Sequence, residues 1–223
     1  MTEIAARILD VFFVVDCSGS MTGERIGSLN WAARAALPAM REAAAEYPDL
    51  DVRVRVVRFA DAVDWPVSRP TPVSQFVWAN LAAGGETAMG AALTAVGAAL
   101  GEPPAIGGPE PLPPVVVLIT DGMPTDDFEA GIAALSATEL GAMAIRVPIA
   151  IGPDADLDLL QEFIGDPALK PLRAQNAEML ASRIRWAASA PLKAVAEPPQ
   201  DGAVAALGRE QRAGQESDDG LVW

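Results

Sequence analysis

Residues Ile8 to Val15 form a nearly continuous apolar run that stops at Asp16. A segment rich in Val and Phe, with no polar alternation, reads as a strand buried on both faces of a parallel sheet. Gly19 and Gly23 then break the chain, and Ile26 to Tyr47 carries apolar residues at helical spacing among many alanines. Pro38 falls inside that helix, where proline removes a hydrogen bond and crowds the preceding turn, so a kink or break is expected there. Val115 to Thr120 repeats the opening pattern, a short apolar run ending on Asp121-Gly122.

The remaining segments fit between these anchors. Val52 to Phe59 alternates Val with Arg before Val56 and Val57 and reads as a strand with one partly exposed side. Val63 to Ser68 contains Trp65-Pro66, and a proline in a strand points to a sheet edge. The two are expected to pair as a hairpin around Asp61. Pro70 to Asn80 resists assignment. Helical spacing returns over Ala88 to Leu100, Phe128 to Leu140, Leu157 to Phe163 and Ala177 to Ala188, with strands at Ala144 to Ile151 and Leu172 to Ala174. Glu102 to Pro114 is a Pro- and Gly-rich connector. Strands alternating with helices predict an α/β fold: a mainly parallel sheet with one antiparallel edge strand and helices on both faces. The domain is expected to span 1–190, with 191–223 an acidic, Pro- and Gly-containing tail that packs weakly or stays extended.

Composition narrows function by exclusion. The chain has no histidine and a single cysteine, Cys17, which removes His-dependent triads, internal disulfides and cysteine-based zinc sites. Its net charge of −14 repels nucleic acid and anionic lipid and disfavours both as partners. The start of the chain is too short and too charged for a membrane span and lacks signal-peptide features, so a cytoplasmic location is the expectation. Neither Gly-x-Gly-x-x-Gly after the first strand nor a phosphate-binding Gly-x-x-x-x-Gly-Lys string is present, so nucleotide binding has little support.

The chemistry gathers where strands end. Asp16-Cys17-Ser18-Gly19-Ser20 follows the first strand, Thr120-Asp121-Gly122 follows another buried strand, and Thr87 lies in a glycine-flanked loop before a helix. Open α/β sheets bind ligands at such carboxyl ends, near the point where strand order reverses. Hydroxyl and carboxylate oxygens suit a hard divalent cation, and a small cluster completed by water suits Mg²⁺, with Mn²⁺ or Ca²⁺ as substitutes. The plainer reading is that the aspartates cap helices and the serines satisfy loop amides. Cys17, with no His or Lys beside it, reads as a small buried thiol. Trp65 and Trp78 read as core packing at the sheet edge, Glu86 as solvated, and Asp126 and Asp127 as the start of the following helix.

Asp16-x-Ser18-x-Ser20, Thr87 and Asp121 together resemble the metal-ion-dependent adhesion site of von Willebrand A domains. The likeness is strongest to the bacterial, tellurite-resistance TerY-like branch. It runs through Ser20-Met21-x-Gly23-Glu24, Val57-x-Phe59, Trp65, Trp78, Gly84-Gly85-x-Thr87, Asp121-Gly122-x-Pro124-Thr125-Asp126 and Ala150-Ile151-Gly152, over residues 8 to 190. The resemblance implies a Rossmann-like, doubly wound sheet and a metal site that binds partners without catalysis. Ser18, Ser20 and Thr87 would contact the metal directly or through water, while Asp16 and Asp121 would act through water or by orienting the hydroxyls. It also implies a partner that supplies an Asp or Glu carboxylate, with a PP2C-type phosphatase and a protein kinase as candidates. Two competing readings share the Mg²⁺. One is a haloacid-dehalogenase-like phosphatase, which needs a second Asp where Ser18 stands; the other is an adaptor subunit of an AAA+ ATPase or chelatase machine.

Overall fold

The computed structural model describes residues 7–102, 108–109, 111–197 and 201–219, with side chains described to residue 213. Strand β1 (Arg7–Asp16) is the centre of a six-stranded sheet ordered β3-β2-β1-β4-β5-β6. Its parallel neighbours are β2 (Leu50–Phe59) and β4 (Val115–Thr120), and β5 (Ile145–Ile151) and β6 (Leu172–Ala174) extend the parallel set. Only β3 (Val63–Pro72) runs antiparallel, at the edge beside β2. Pro66, Pro70 and Pro72 all fall on it, and an outer strand has no second ladder for their missing N–H groups to disrupt. The architecture is the mainly parallel α/β sheet expected from the alternating pattern. Segment 70–72, left open by the sequence, continues β3.

Successive residues of β1 face opposite layers, as the period of two requires. Leu9, Val11, Phe13 and Val15 join the core under α1 (Glu24–Ala45) and α6 (Ala177–Ala196). Phe12 and Val14 join a second core with side chains of α2 (Met89–Leu100), α3 (Phe128–Ser136) and α5 (Leu157–Ile164). The helices that follow β1 and β4 therefore lie on opposite faces, and the crevice between these two strands opens at their carboxyl ends. That is where an open α/β sheet binds ligands.

Four local expectations are corrected. Helix α1 runs unbroken through Pro38; Pro38 is exposed, so the carbonyl it cannot reach faces water rather than the core. The single helix expected over Phe128 to Leu140 is two, because Thr138 caps the short α4 (Glu139–Met143) by accepting from the Gly141 amide at 3.1 Å. Asp127 caps α3, but Asp126 serves the preceding helix, accepting from the amides of Gly90 and Ala91 in the first turn of α2, each at 2.8 Å. The fourth concerns the tail. Helix α6 continues through Pro191 to Ala196, with Pro191, Leu192, Val195 and Ala196 buried, and residues 203–219 form a further helix, α7 (Ala203–Asp219).

Helix α7 docks through Leu207 and Gln211. The Gln211 amide holds the backbone of Lys170 from both sides, accepting from its N–H at 2.9 Å and donating to its carbonyl at 3.1 Å. Gly208 makes the approach possible, since a Cβ there would lie 2.2 Å from the Ala168 carbonyl oxygen. Spacing at Val204, Leu207 and Gln211 was the available signal for this helix. The last residues, Leu221-Val222-Trp223, lie outside the described residues.

Candidate metal centre

Asp16 ends β1 and is fully buried. One carboxylate oxygen accepts from the Ser18 amide at 2.8 Å, which curls the chain so that residues 16, 18 and 20 share one side. The other accepts from the Thr120 hydroxyl at 2.5 Å, across from the end of β4. Burial pushes the Asp16 pKa up, the hydrogen bonds from Ser18 and Thr120 draw it back, and the nearby Asp121 charge adds to the rise. A charged carboxylate in that position is one a cation would favour.

The chain of contacts continues outward. The hydroxyls of Ser18 and Ser20 lie 3.0 Å apart, and Ser20 donates to a carboxylate oxygen of Asp121 at 2.7 Å. The second Asp121 oxygen accepts from Arg25 Nη1, and Arg25 Nη2 donates to Asp154 at 3.2 Å. Ser18 and Asp121 are buried like Asp16. The Ser20 and Thr120 hydroxyls each direct a proton onto a carboxylate, leaving oxygen lone pairs to face other partners. A hydroxyl polarised in this way is a better oxygen ligand.

Thr87 arrives on an irregular segment that ends in the glycine-flanked loop expected before α2. Asn30 of α1 is its anchor: the side chain accepts from the Leu81 amide and donates to the Leu81 carbonyl, both at 2.8 Å, and accepts from the Trp78 indole at 3.0 Å. Trp78 itself is buried with its ring edge-on to Phe13 and Phe76, and Trp65, half-buried on the edge strand, packs edge-on to Phe12 against the second core, so both pack at the sheet edge as expected. Beyond Leu81 the backbone locks onto the Asp16–Ser20 turn, with the Gly84 amide donating to the Cys17 carbonyl and the Gly19 amide to the Gly85 carbonyl, each at 2.8 Å. Gly85 has φ +94°, and a Cβ there would sit 2.5 Å from the Asp61 carboxylate, so only glycine fits. Asp61 in turn accepts from the Glu86 amide at 2.8 Å. Thr87 is nearly buried and ties to the loop after β4: its amide donates to the Thr125 hydroxyl at 3.1 Å, and its carbonyl accepts from the Thr125 amide at 3.0 Å.

The five residues singled out from the sequence thus stand at one edge. Asp16, Ser18, Ser20 and Asp121 are linked by hydrogen bonds, and Thr87 is on the loop bound to their turn. Thr120, Arg25, Asp61, Thr125 and Asp154 complete the surroundings and were not named as site residues, although Thr120 and Thr125 fall within the motifs quoted from the sequence. Thr120 was the most legible of these, being adjacent to Asp121; nothing local marks Asp154, and Asp61 stood out only as a hairpin turn. Cys17 is fully buried and its thiol is pushed up to about 12 by burial, which suits an inert packing role. Glu86 is exposed, as expected.

The von Willebrand factor type A domain family model matches residues 10–182. The chain belongs to that family.

Solved structures agree with this vWA fold. A von Willebrand factor type A protein from Catenulispora acidiphila superposes with a TM-score of 0.60 at 18% identity, over 81% of this chain and 42% of that one. The ArnB paralog VWA2 from Sulfolobus acidocaldarius gives 0.55 at 14% identity, over 78% and 43%. The pilus adhesin SpaC from Lactobacillus rhamnosus GG, in its open conformation, gives 0.63 at 16% identity, over 85% and 30%. The vWA chain therefore spans less than half the length of each of these structures. No curated protein is similar enough in sequence to count as a match. Among the described residues no helix is long and apolar enough to cross a membrane.

Proposed function

We propose that this vWA domain is a non-enzymatic, Mg²⁺-dependent protein-binding module that takes an Asp or Glu carboxylate of its partner at the carboxyl edge of the sheet. The observation that carries the reading is the convergence of hydroxyls on two buried carboxylates, with Asp16 and Asp121 orienting Thr120 and Ser20. Among the described residues no three His, Cys, Asp or Glu side chains gather in one group; hydroxyls dominate this donor set, and their chemistry fits a hard cation that keeps much of its charge available. Ser18, Ser20 and Thr87 are the proposed oxygen ligands, while Asp16 and Asp121 fix the hydroxyl protons and supply the negative charge. A bound Mg²⁺ would supply an open coordination position for the partner's carboxylate. Family membership in a class of interaction and adhesion modules supports the non-enzymatic part. The sequence likeness to the TerY-like branch supports a kinase–phosphatase partnership within the cell, and that finer assignment rests on the likeness alone.

The test is capture of partners from the native host by the immobilised full chain, with Mg²⁺, with EDTA and with Ser18→Ala. The proposal expects acidic-surfaced partners to be retained only by the wild-type chain in Mg²⁺. Equal retention in all three conditions rules out a metal bridge.

A further inference from the structure

Arg25 has no part in the donor set, yet it touches it. Its guanidinium bridges Asp121 of the β4 loop and Asp154 beyond β5, and its side chain is 33% exposed against 0% for Asp121. Two carboxylates, Asp16 and Asp121, lie within the site, so a divalent ion there would bring the cluster to neutrality. Arg25 adds one positive charge to that balance. Asp154, 73% exposed and 3.2 Å from Arg25, cancels part of that charge; the other acids near the site, Glu24, Asp61 and Glu86, are exposed, and solvent and salt screen them more than the buried pair.

Resting on the metal-dependent reading above, we propose that Arg25 is a built-in counter-cation: it lowers the site's affinity for the bare metal ion and makes the loaded site more positive than it would otherwise be for an arriving carboxylate. The second effect matters on this surface. With a net charge of −14, the chain as a whole repels an acidic partner, and a cation held beside the site reduces that repulsion where contact is made. Asp121 does not depend on Arg25 for its position, because Ser20 holds its other oxygen. Removing the guanidinium therefore changes charge more than geometry.

The experiment uses the full chain and two variants, Arg25→Gln and Arg25→Lys. Mn²⁺ is titrated in and the free ion followed by electron paramagnetic resonance; acetate is then titrated into the Mn²⁺-loaded protein and read by water-proton relaxation. Arg25→Gln is expected to bind Mn²⁺ about tenfold more tightly and, once loaded, to bind acetate about tenfold more weakly, the size of a unit charge acting at high effective dielectric. Arg25→Lys keeps both values near wild type. A merely structural Arg25 would weaken both binding steps together, and that result, or no change in either, overturns the inference while leaving the metal site standing. A wild-type chain that takes up no Mn²⁺ removes the metal reading itself and this inference with it.

Discussion

The carboxyl edge of the sheet and the corner where α7 meets the α5–β6 loop both join segments far apart in the chain, by different means. At the edge, residues 16–20, 84–87 and 120–125 meet through hydroxyl–carboxylate and backbone hydrogen bonds around buried acids. At the corner, Gly208 and Gln211 press on residues 168–170 through close packing and the Gln211 amide, with Arg212 donating to the Ala168 carbonyl at 3.4 Å. A buried carboxylate must find protons or a cation, so its partners are drawn from a short list of residue types. Packing against a glycine imposes no such chemical signature. The first kind of region can be suspected from residue names; the second shows itself only as faint periodicity.

The comparison breaks most severely at Asp16. Asp16→Asn removes the negative charge and one acceptor at the centre of the edge, and Mn²⁺ affinity measured by calorimetry is expected to fall roughly 10- to 100-fold, with α7 still docked. An unchanged affinity would mean that the edge is only a hydrogen-bonded loop cluster. At the corner, Gly208→Val drives a side chain into the Ala168 carbonyl. The expected cost is about 1–3 kcal/mol, read as faster amide exchange and tryptic cleavage at Arg209 and Arg212, with Mn²⁺ affinity unchanged. A fall in metal affinity from this distant substitution would show that the two regions are coupled, and the contrast between them would no longer hold.

A smaller effect sharpens the edge itself. Asp61→Ala deletes the acceptor of the Glu86 amide, and chemical denaturation is expected to show a loss of about 0.5–1.5 kcal/mol, together with a modest drop in Mn²⁺ affinity as the Thr87 loop loosens. Smallest of all is Cys17. With its thiol pushed up to about 12 by burial, the thiolate is scarce at pH 8, and a disulfide reagent is expected to label it only after unfolding. Rapid labelling of the folded chain would place the thiol at the open side of the edge instead of in its core.

Much of the fold was legible because a central parallel strand has a distinctive pattern. The runs at Ile8–Val15 and Val115–Thr120 announced β1 and β4, and Pro66 after Trp65 announced the edge strand, since each reflects a constraint acting on neighbouring residues. Less could be read where a residue serves a distant element. Asp126 lies just before α3 and looks like its cap, but its carboxylate is taken by the amides of α2. Pro191 looks like a terminus, but the burial of Leu192, Val195 and Ala196 outweighs the missing hydrogen bond and the helix continues. In each case a tertiary contact overrides a local preference.

The candidate site divides along the same line. By itself the sequence determined the class of fold and the kinds of oxygen placed after β1, before α2 and after β4, because strand burial and donor chemistry are properties of short segments. Only the tertiary structure decided which carboxylate receives each hydroxyl proton, that Asn30 and Asp61 steer the Thr87 loop, and that a guanidinium from α1 rests on Asp121. Those choices depend on the meeting in space of residues 25 to 104 positions apart in sequence, and no local pattern encodes the orientation of a side chain toward a partner it meets only after folding.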